Sequence, residues 1–256
     1  MAKRRLIFLV FAICIAFLGC SQGSSSVEPL STGDAVTTVL SGIDLTGSKQ
    51  GQAVGLVDVD GDGINDKVVG APYAETATGV GAVVVYKGDA AGKFPEATQL
   101  ITGGDNFGFA LTNAGDADGD GKEDFAVGAI GDDGADAALS GSVYVYKGGS
   151  GGQLMSKLSG EAPMDKFGFS LDSGDLNGDG KSDLAAGAPF NTNSPALYQG
   201  GAAYVFFGPD FTSSVQLHAS SANKGLGWAV ATGNINNDSY ADLLISASGK
   251  VLVYNG

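Results

Sequence analysis

The sequence contains few residues suited to thiol, imidazole or zinc chemistry. Its two cysteines, Cys14 and Cys20, both lie near the N-terminus, and its one histidine is His218. The rest of the chain therefore cannot form an internal disulfide. With so few soft ligands and nucleophiles, the sequence argues against a zinc site and against catalysis by histidine or cysteine.

Basic residues are scarce as well. Lysine and arginine total 14 against 28 aspartates and glutamates, which gives a formal net charge of −14. This balance argues against nucleic acid as a partner, because the phosphate backbone requires basic side chains. Acidic groups that cluster without cations repel one another, so cation binding is the first property to test.

Helical periodicity is absent beyond the N-terminal apolar run. The 42 glycines lie between short segments rich in valine, alanine, tyrosine and phenylalanine. This arrangement is typical of an all-β protein with many tight turns.

The N-terminal residues have the pattern of an export signal. Three basic residues at 3–5 precede an apolar run at 6–18, which is too short to span the ~30 Å hydrocarbon core of a bilayer as a helix. The ending FLGC resembles a bacterial lipoprotein signal, which implies a signal peptide at 1–19 and a lipid on Cys20; secretion without a lipid is the alternative. We expect an exported protein that is anchored to a membrane at the bacterial cell envelope or surface, with a flexible tether at 20–32.

One acidic nine-residue segment occurs four times. The copies start at residues 58, 116, 175 and 234 and read DVDGDGIND, DADGDGKED, DLNGDGKSD and NINNDSYAD. One apolar segment precedes each copy, two follow it, and a fourth separates consecutive copies. Because four short antiparallel strands form one blade of a β-propeller, the sequence predicts an all-β, four-blade propeller over residues 33–256.

Further motifs recur in step with the acidic segments. Phe107-Gly108 and Phe167-Gly168 precede two of the copies, and GAP triplets follow the copies at 70–72 and 187–189. This combination resembles the FG-GAP repeat family, the unit of the integrin α-subunit β-propeller. The resemblance implies a calcium-binding propeller that acts in adhesion or in binding an extracellular protein or glycan.

Closure of the ring is a separate prediction. The last copy ends after its third strand, whereas residues 36–43 have the character of an outer strand that precedes the first copy. We expect this N-terminal strand to complete the last blade, since an open sheet edge needs protection. A closed ring of four blades is favoured; association of chains into a larger ring is the alternative.

The acidic segments are predicted calcium loops. Oxygen ligands at positions 1, 3, 5 and 9, with a backbone carbonyl at position 7, suit the six to eight hard ligands of calcium better than the tight octahedron of magnesium. The predicted ligands are Asp58, Asp60, Asp62, Ile64 and Asp66 in loop 1; Asp116, Asp118, Asp120, Lys122 and Asp124 in loop 2; Asp175, Asn177, Asp179, Lys181 and Asp183 in loop 3; and Asn234, Asn236, Asp238, Tyr240 and Asp242 in loop 4.

The four loops are not equivalent. Loops 1 to 3 keep glycine at positions 4 and 6, where tight curvature favours positive φ, whereas loop 4 has Asn237 and Ser239 there and only two formal charges. We therefore expect three calcium sites and a weaker fourth. Polar turns without a metal are the alternative, and an EF-hand is excluded because position 12 is not glutamate.

Partner recognition is predicted on the variable loops that follow the GAP-type segments. The aromatic candidates there are Tyr73, Phe190 and Tyr198. The strand order that the resemblance implies places these loops on the face opposite the calcium loops. No catalytic residues are predicted, so the favoured function is a surface binding module for protein or glycan, without enzymatic activity. The alternatives are a propeller domain of a secreted hydrolase or polysaccharide lyase, and a structural envelope protein.

Overall fold

The computed structural model describes residues 47–76, 79–94, 97–134, 138–149, 152–192, 200–219 and 225–256. The predicted signal peptide, Cys20, the tether, the strand at 36–43 and Tyr198 lie outside the described residues. Over the described ranges the secondary structure is β-strand with turns, and no helix there has the length and apolar character needed to cross a membrane. The prediction of an all-β fold is confirmed.

The strands form three sheets, of eight, four and three strands; the eight-stranded sheet consists of two antiparallel units that one parallel bridge joins, and we call the four resulting units blades 1 to 4. Blade 1 contains β1 (Val54–Val57), β2 (Asp66–Thr76), β3 (Gly79–Tyr86) and β4 (Ala97–Thr102). Blade 2 contains β5 (Phe107–Gly115), β6 (Asp124–Ala129), β7 (Ser142–Lys147) and β8 (Gln153–Ser159). Blade 3 contains β9 (Ser170–Gly174), β10 (Asp183–Ala188), β11 (Ala202–Phe207) and β12 (Ser213–His218). Blade 4 contains β13 (Val230–Gly233), β14 (Asp242–Ala247) and β15 (Lys250–Tyr254).

The middle strands of blades 2 and 3 are apolar on both faces because each face packs on a neighbouring blade. In β7, Val143 and Val145 belong to the core between blades 2 and 3, whereas Tyr144 and Tyr146 belong to the core between blades 1 and 2. Alternate residues of a strand point to opposite faces. The continuous run SVYVYK therefore supplies two cores at once.

Aromatic side chains of the FG motifs fill the spaces between blades. Phe107 is fully buried and packs edge-on against Tyr144, with ring centroids 5.3 Å apart. Phe167 is 1% exposed and packs in the same way against Tyr204, at 5.2 Å. Phe107 and Phe167 thus belong to the cores between blades 1 and 2 and between blades 2 and 3, respectively.

Each junction also brings two backbones into direct contact at a glycine. Gly141 has φ of 84°, and a Cβ at this position would lie 2.2 Å from the carbonyl oxygen of Phe167. The equivalent Gly81 and Gly201 form parallel bridges to Phe107 and Leu226. No other residue type fits at these points, because a side chain would overlap the backbone of the next blade.

The two ends of the blade array do not form such a junction with each other. A Cβ at Gly249, which is equivalent to Gly141, would meet no atom within 4 Å, and the same is true of Gly51 at the start of blade 1. Among the described residues, β15 pairs only with β14. The predicted closure of four blades within one chain is therefore not confirmed.

Candidate metal centre

Each acidic loop connects the first two strands of its blade, so the four loops have equivalent places in the fold. In loops 1 to 3 the glycines at positions 4 and 6 have φ between 76° and 87°, and in loop 4 Asn237 has φ of 66°. The predicted role of positive φ in these turns is confirmed. It folds the odd-numbered side chains of each loop toward one another.

The carboxylate at position 1 organises the turn through backbone amides. Asp58 Oδ1 accepts hydrogen bonds from the amides of Gly61 and Asp62, at 2.8 and 3.1 Å, and its Oδ2 accepts one from Gly63, at 2.7 Å. Asp175 repeats this pattern in loop 3. These bonds fix the loop geometry before any ion is considered.

The residues at position 7 are hydrogen-bonded to the position 5 carboxylates of their loops. The backbone amides of Ile64, Lys122, Lys181 and Tyr240 each donate to the position 5 carboxylate of the same loop, at 2.8–3.0 Å. The turn therefore holds position 7 beside position 5. That the position 7 carbonyls bind a metal stays a prediction.

The aspartate at position 9 has a structural role that the sequence analysis missed. In loop 2, Asp124 Oδ2 accepts a hydrogen bond from the amide of Ala117, and Oδ1 accepts one from Gly148, both at 2.9 Å. Asp66, Asp183 and Asp242 bond their own loops and blades in the same way. All four carboxylates are at most 2% exposed. Each one ties its loop to the glycine that follows the third strand of the blade.

Burial sets the electrostatics of these position 9 carboxylates. Burial raises the pKa of Asp66, Asp124 and Asp183. The hydrogen bonds that these carboxylates accept from backbone amides each lower the pKa, but by less. A cation at the centre of the loop would offset the cost of keeping these groups charged and out of water.

Two loops bring their carboxylates within the span of one ion. Oxygen atoms of Asp58, Asp60 and Asp66 all lie within 4.8 Å of one another, and so do those of Asp116, Asp118 and Asp120. In loop 2, Asp116 Oδ1 is buried and has no hydrogen-bond partner. An unpaired buried carboxylate oxygen is costly, and a hard cation satisfies it. The residues present therefore fit calcium.

Lysine side chains reach into loops 1 and 2 from the end of the third strand. Lys147 Nζ lies 2.5 Å from Asp118 Oδ2 and 2.9 Å from Asp120 Oδ2. In loop 1, Lys87 contacts Asp60 and lies 2.9 Å from Asp62 Oδ2. These ion pairs raise the pKa of both lysines, through the first aspartate most strongly. They were not anticipated from the sequence.

Loops 3 and 4 do not have a lysine at the position of Lys87, and at loop position 3 they have asparagine where loops 1 and 2 have aspartate. The residues equivalent to Lys87 are Phe207 and Asn255. In loop 3, Asn177 Nδ2 donates to Asp179 Oδ2 at 3.2 Å, and in loop 4, Asn236 Nδ2 donates to Asp238 Oδ2 at 2.7 Å. An amide can rotate and offer its oxygen to a metal, whereas an ammonium group cannot become a ligand.

The opposite ends of the strands carry a partly exposed aromatic cluster. Phe109, Phe169 and Trp228, from three successive blades, are in ring contact along with Phe190, at centroid distances of 4.7–6.4 Å. Trp228 is 48% exposed. Tyr73 is 39% exposed on β2, with Lys49 Nζ 4.6 Å from its ring. Phe190 and Tyr73 thus lie on this side, as predicted.

Two polar clusters at the same strand ends were missed by the sequence analysis. Asp132 accepts a hydrogen bond from the Tyr144 hydroxyl at 2.8 Å and pairs with Lys157 at 2.9 Å. In blade 3, the fully buried Asp165 accepts one from Asn191 at 2.7 Å. The tyrosine and lysine partners of Asp132 are distant from it in the chain, so the sequence pattern does not indicate this cluster.

Comparisons with known proteins agree with the repeat pattern. The FG-GAP repeat model matches residues 167–206 and 226–254, and the FG-GAP-like repeat model matches residues 58–127. Integrin alpha-4 of Xenopus laevis is 35% identical over 163 residues, which cover 59% of this chain and 15% of the integrin. Integrin alpha-7 of Rattus norvegicus is 33% identical over 189 residues, which cover 70% and 16%.

Other similar proteins are enzymes. The phosphatidylinositol-glycan-specific phospholipase D of Bos taurus is 32% identical over 216 residues, which cover 74% of this chain and 25% of the phospholipase. Rhamnogalacturonan lyase PL11 of Bacillus licheniformis aligns over 79% of this chain and 40% of its own, with 13% identity and a TM-score of 0.49. The chain spans a quarter or less of the length of these integrin and phospholipase relatives.

Proposed function

The chain belongs to the FG-GAP repeat proteins, and on this premise we propose that it is a calcium-stabilised binding module at the bacterial cell surface. The observation that carries the calcium assignment is the buried, unpaired Asp116 Oδ1 within a set of converging carboxylates. Hard oxygen donors without sulfur or imidazole favour calcium over transition metals.

The four loops bind calcium with different strengths in this proposal. Loops 1 to 3 each have at least three carboxylates, whereas loop 4 has two, on Asp238 and Asp242. In loop 4 the amide groups of Asn234 and Asn236 donate to Asp238 and must turn before their oxygens face an ion. Loop 4 is therefore the weakest site.

Calorimetric titration of the full chain with calcium, after chelator treatment, tests this assignment. The Asp116→Asn variant is expected to lose one site while the other sites are retained. Glu75→Gln is the matched control, since Glu75 is exposed on β2 and lies outside the loops. Absence of binding heat in the unsubstituted protein, or equal loss in both variants, would refute the assignment.

The proposed ligand is an extracellular protein or glycan that docks at the strand ends opposite the calcium loops. Half-exposed Trp228, together with Phe190 and Tyr73, supplies flat apolar surface there, of the kind that proteins use to anchor sugars and protein side chains. A glycan and matrix-protein array probed with the full chain identifies the ligand. Trp228→Ala should abolish the signal, whereas Tyr240→Ala, at the opposite end, should not.

An enzymatic role is the second candidate, because the bovine phospholipase matches over 74% of this chain. Our proposal is that the chain itself binds without catalysing a reaction. Assays of the full chain on phospholipid, phosphoester and polysaccharide substrates distinguish the two. Turnover of any of these substrates by the full chain would support the enzymatic role. If the turnover is retained in Trp228→Ala, the active site lies away from the aromatic cluster.

Localisation is also part of the proposal. The sequence pattern at residues 1–20 supports export, removal of the signal peptide and lipidation of Cys20, which together anchor the folded domain to a membrane. Metabolic labelling with a radioactive fatty acid should mark the unsubstituted protein and not Cys20→Ser. Equal labelling of both would contradict the anchor.

The finer architecture that we propose is a closed ring in which residues 36–43, of the same chain or of a second copy, form the outer strand of blade 4. In blade 2, β8 pairs with β7 so that Ser159 lies opposite Ser142. Ser41 is followed by glycine, as Ser159 is, and Lys250 has the position of Ser142. Pairing of Ser41 with Lys250 would protect the free edge of β15.

A further inference from the structure

The free face of blade 4 exposes residues that every other blade buries. Ile245 pairs with Leu252 in blade 4 as Val127 pairs with Tyr144 in blade 2. Val251 and Val253 are therefore equivalent to Val143 and Val145, which are fully buried under blade 3. Val251 is 55% exposed and Val253 is 50% exposed. Blade 4 thus presents the surface on which a following blade would pack.

The free face of blade 1 is the opposite half of the same junction. Val54 pairs with Val69, and the equivalent Val230 of blade 4 pairs with Ile245. Val230 is 4% exposed because it packs into the core with Val205 of blade 3. Val54 has no preceding blade to pack on among the described residues and is 60% exposed.

The glycines of the junction show the same complementarity. A Cβ added at Gly168 of blade 3 would lie 2.9 Å from the carbonyl oxygen of Ser142 in blade 2. A Cβ added at Gly227 of blade 4 would lie 2.2 Å from the carbonyl oxygen of Ala202 in blade 3. Gly51 of blade 1 keeps the positive φ, at 90°, and has nothing within 4 Å. The backbone at the start of blade 1 is already shaped to meet a third strand.

We propose that blade 1 of one chain docks on blade 4 of a second copy, through the faces that contain Val54 and Val251. The two faces are halves of a junction that this chain forms three times internally, so a second copy supplies the required shape and apolar surface. Within one chain, Gly51 and Gly249 do not make this contact, although both are described.

The number of copies follows from geometry. A head-to-tail interface either closes into a ring or continues as a filament. Propellers typically have 4 to 8 blades. Two copies that each contribute the four described blades reach the upper end of this range, whereas three copies exceed it, so the expected assembly is a two-fold ring.

The test uses the full chain in mild detergent, so that a lipid on Cys20 does not itself drive association. Light scattering coupled to size exclusion gives the protein mass. The unsubstituted chain should have the mass of a dimer, and Val251→Lys and Val54→Lys should each halve it. The matched control is Val215→Lys, because Val215 is 45% exposed on the outer strand β12 and lies outside both faces.

Mixing the two monomeric variants makes the test specific. Val54→Lys leaves the blade 4 face intact and Val251→Lys leaves the blade 1 face intact, so an equimolar mixture should recover dimers that neither forms alone. A monomeric unsubstituted chain, a filament, or a mixture that stays monomeric would overturn the proposal. The outcome does not depend on calcium binding, because the faces lie outside the acidic loops.

Discussion

At the scale of single residues, the acidic loops combine two kinds of aspartate. In loop 2 those at positions 1, 3 and 5 turn toward one another and suit a cation, whereas Asp124 at position 9 is buried and bonded to backbone amides. In loop 1 the converging set is Asp58, Asp60 and Asp66, so there position 9 has both roles. A sequence pattern cannot separate these roles, because the same carboxylate is both a metal ligand and a hydrogen-bond acceptor.

Substitutions at the two positions should therefore respond differently to calcium. Asp124→Ala leaves two buried amides without acceptors and should lower the free energy of unfolding by about 2–4 kcal/mol even with chelator, where no bound ion is lost. Asp116→Ala should be destabilising mainly with calcium, since it removes a ligand. Urea unfolding in the two buffers measures both. Equal free energies of unfolding for the two variants in chelator would show that position 9 has no separate structural role.

Lys87 and Lys147, which reach into loops 1 and 2, should partly replace the charge of a bound metal ion. Lys147 neutralises Asp118 and Asp120 in the absence of an ion, so Lys147→Gln should lower the melting temperature in chelator. With calcium the same variant should melt at an unchanged or higher temperature, because the ion no longer displaces an ammonium group.

A matched control for this effect is Lys93→Gln, which removes an exposed charge away from the loops. It should leave the difference between the two melting temperatures unchanged. If Lys147→Gln lowers the melting temperature equally in both buffers, the lysine is an ordinary surface ion pair and does not compete with calcium.

At the scale of strands and loops, the junction glycines define how blades meet. Ala at Gly141 would overlap the carbonyl oxygen of Phe167 and require an unfavourable positive φ. Gly92 has a similar positive φ, 71°, in a turn where a Cβ meets nothing within 4 Å.

The two alanine variants should therefore differ in stability. Gly92→Ala should cost about 1–2 kcal/mol, which is the penalty for the left-handed conformation alone. Gly141→Ala should cost about 1–3 kcal/mol more, because of the overlap between blades. Chemical denaturation compares them. Equal losses would mean that the blades can separate at this point without a penalty.

The strands and the acidic loops were largely predictable from the sequence, whereas contacts between residues that are distant in the chain were not. The repeat spacing located the acidic loops and the strands beside them, because the turn residues and apolar segments recur at fixed offsets. The lysine contacts were not predictable, since Lys87 is 27 residues from Asp60 and meets it only after the blade folds. The open faces of blades 1 and 4 were also missed, because closure depends on the curvature of the whole array.

At the scale of the whole molecule, the fold carries more negative than positive charge and concentrates it in four equivalent turns. Calcium would neutralise these turns and, through the position 9 aspartates, strengthen the link between each loop and its blade. A site at a free calcium concentration 100 times its Kd adds about 2.7 kcal/mol to stability. Three such sites are a large share of a typical total of about 5–15 kcal/mol.

Thermal unfolding of the full chain in calcium and in chelator, with the metal content of the purified protein measured alongside, tests this account most directly. We predict bound calcium and a melting temperature that falls sharply when the ion is removed. An unchanged melting temperature in a protein that contains no calcium would contradict the account.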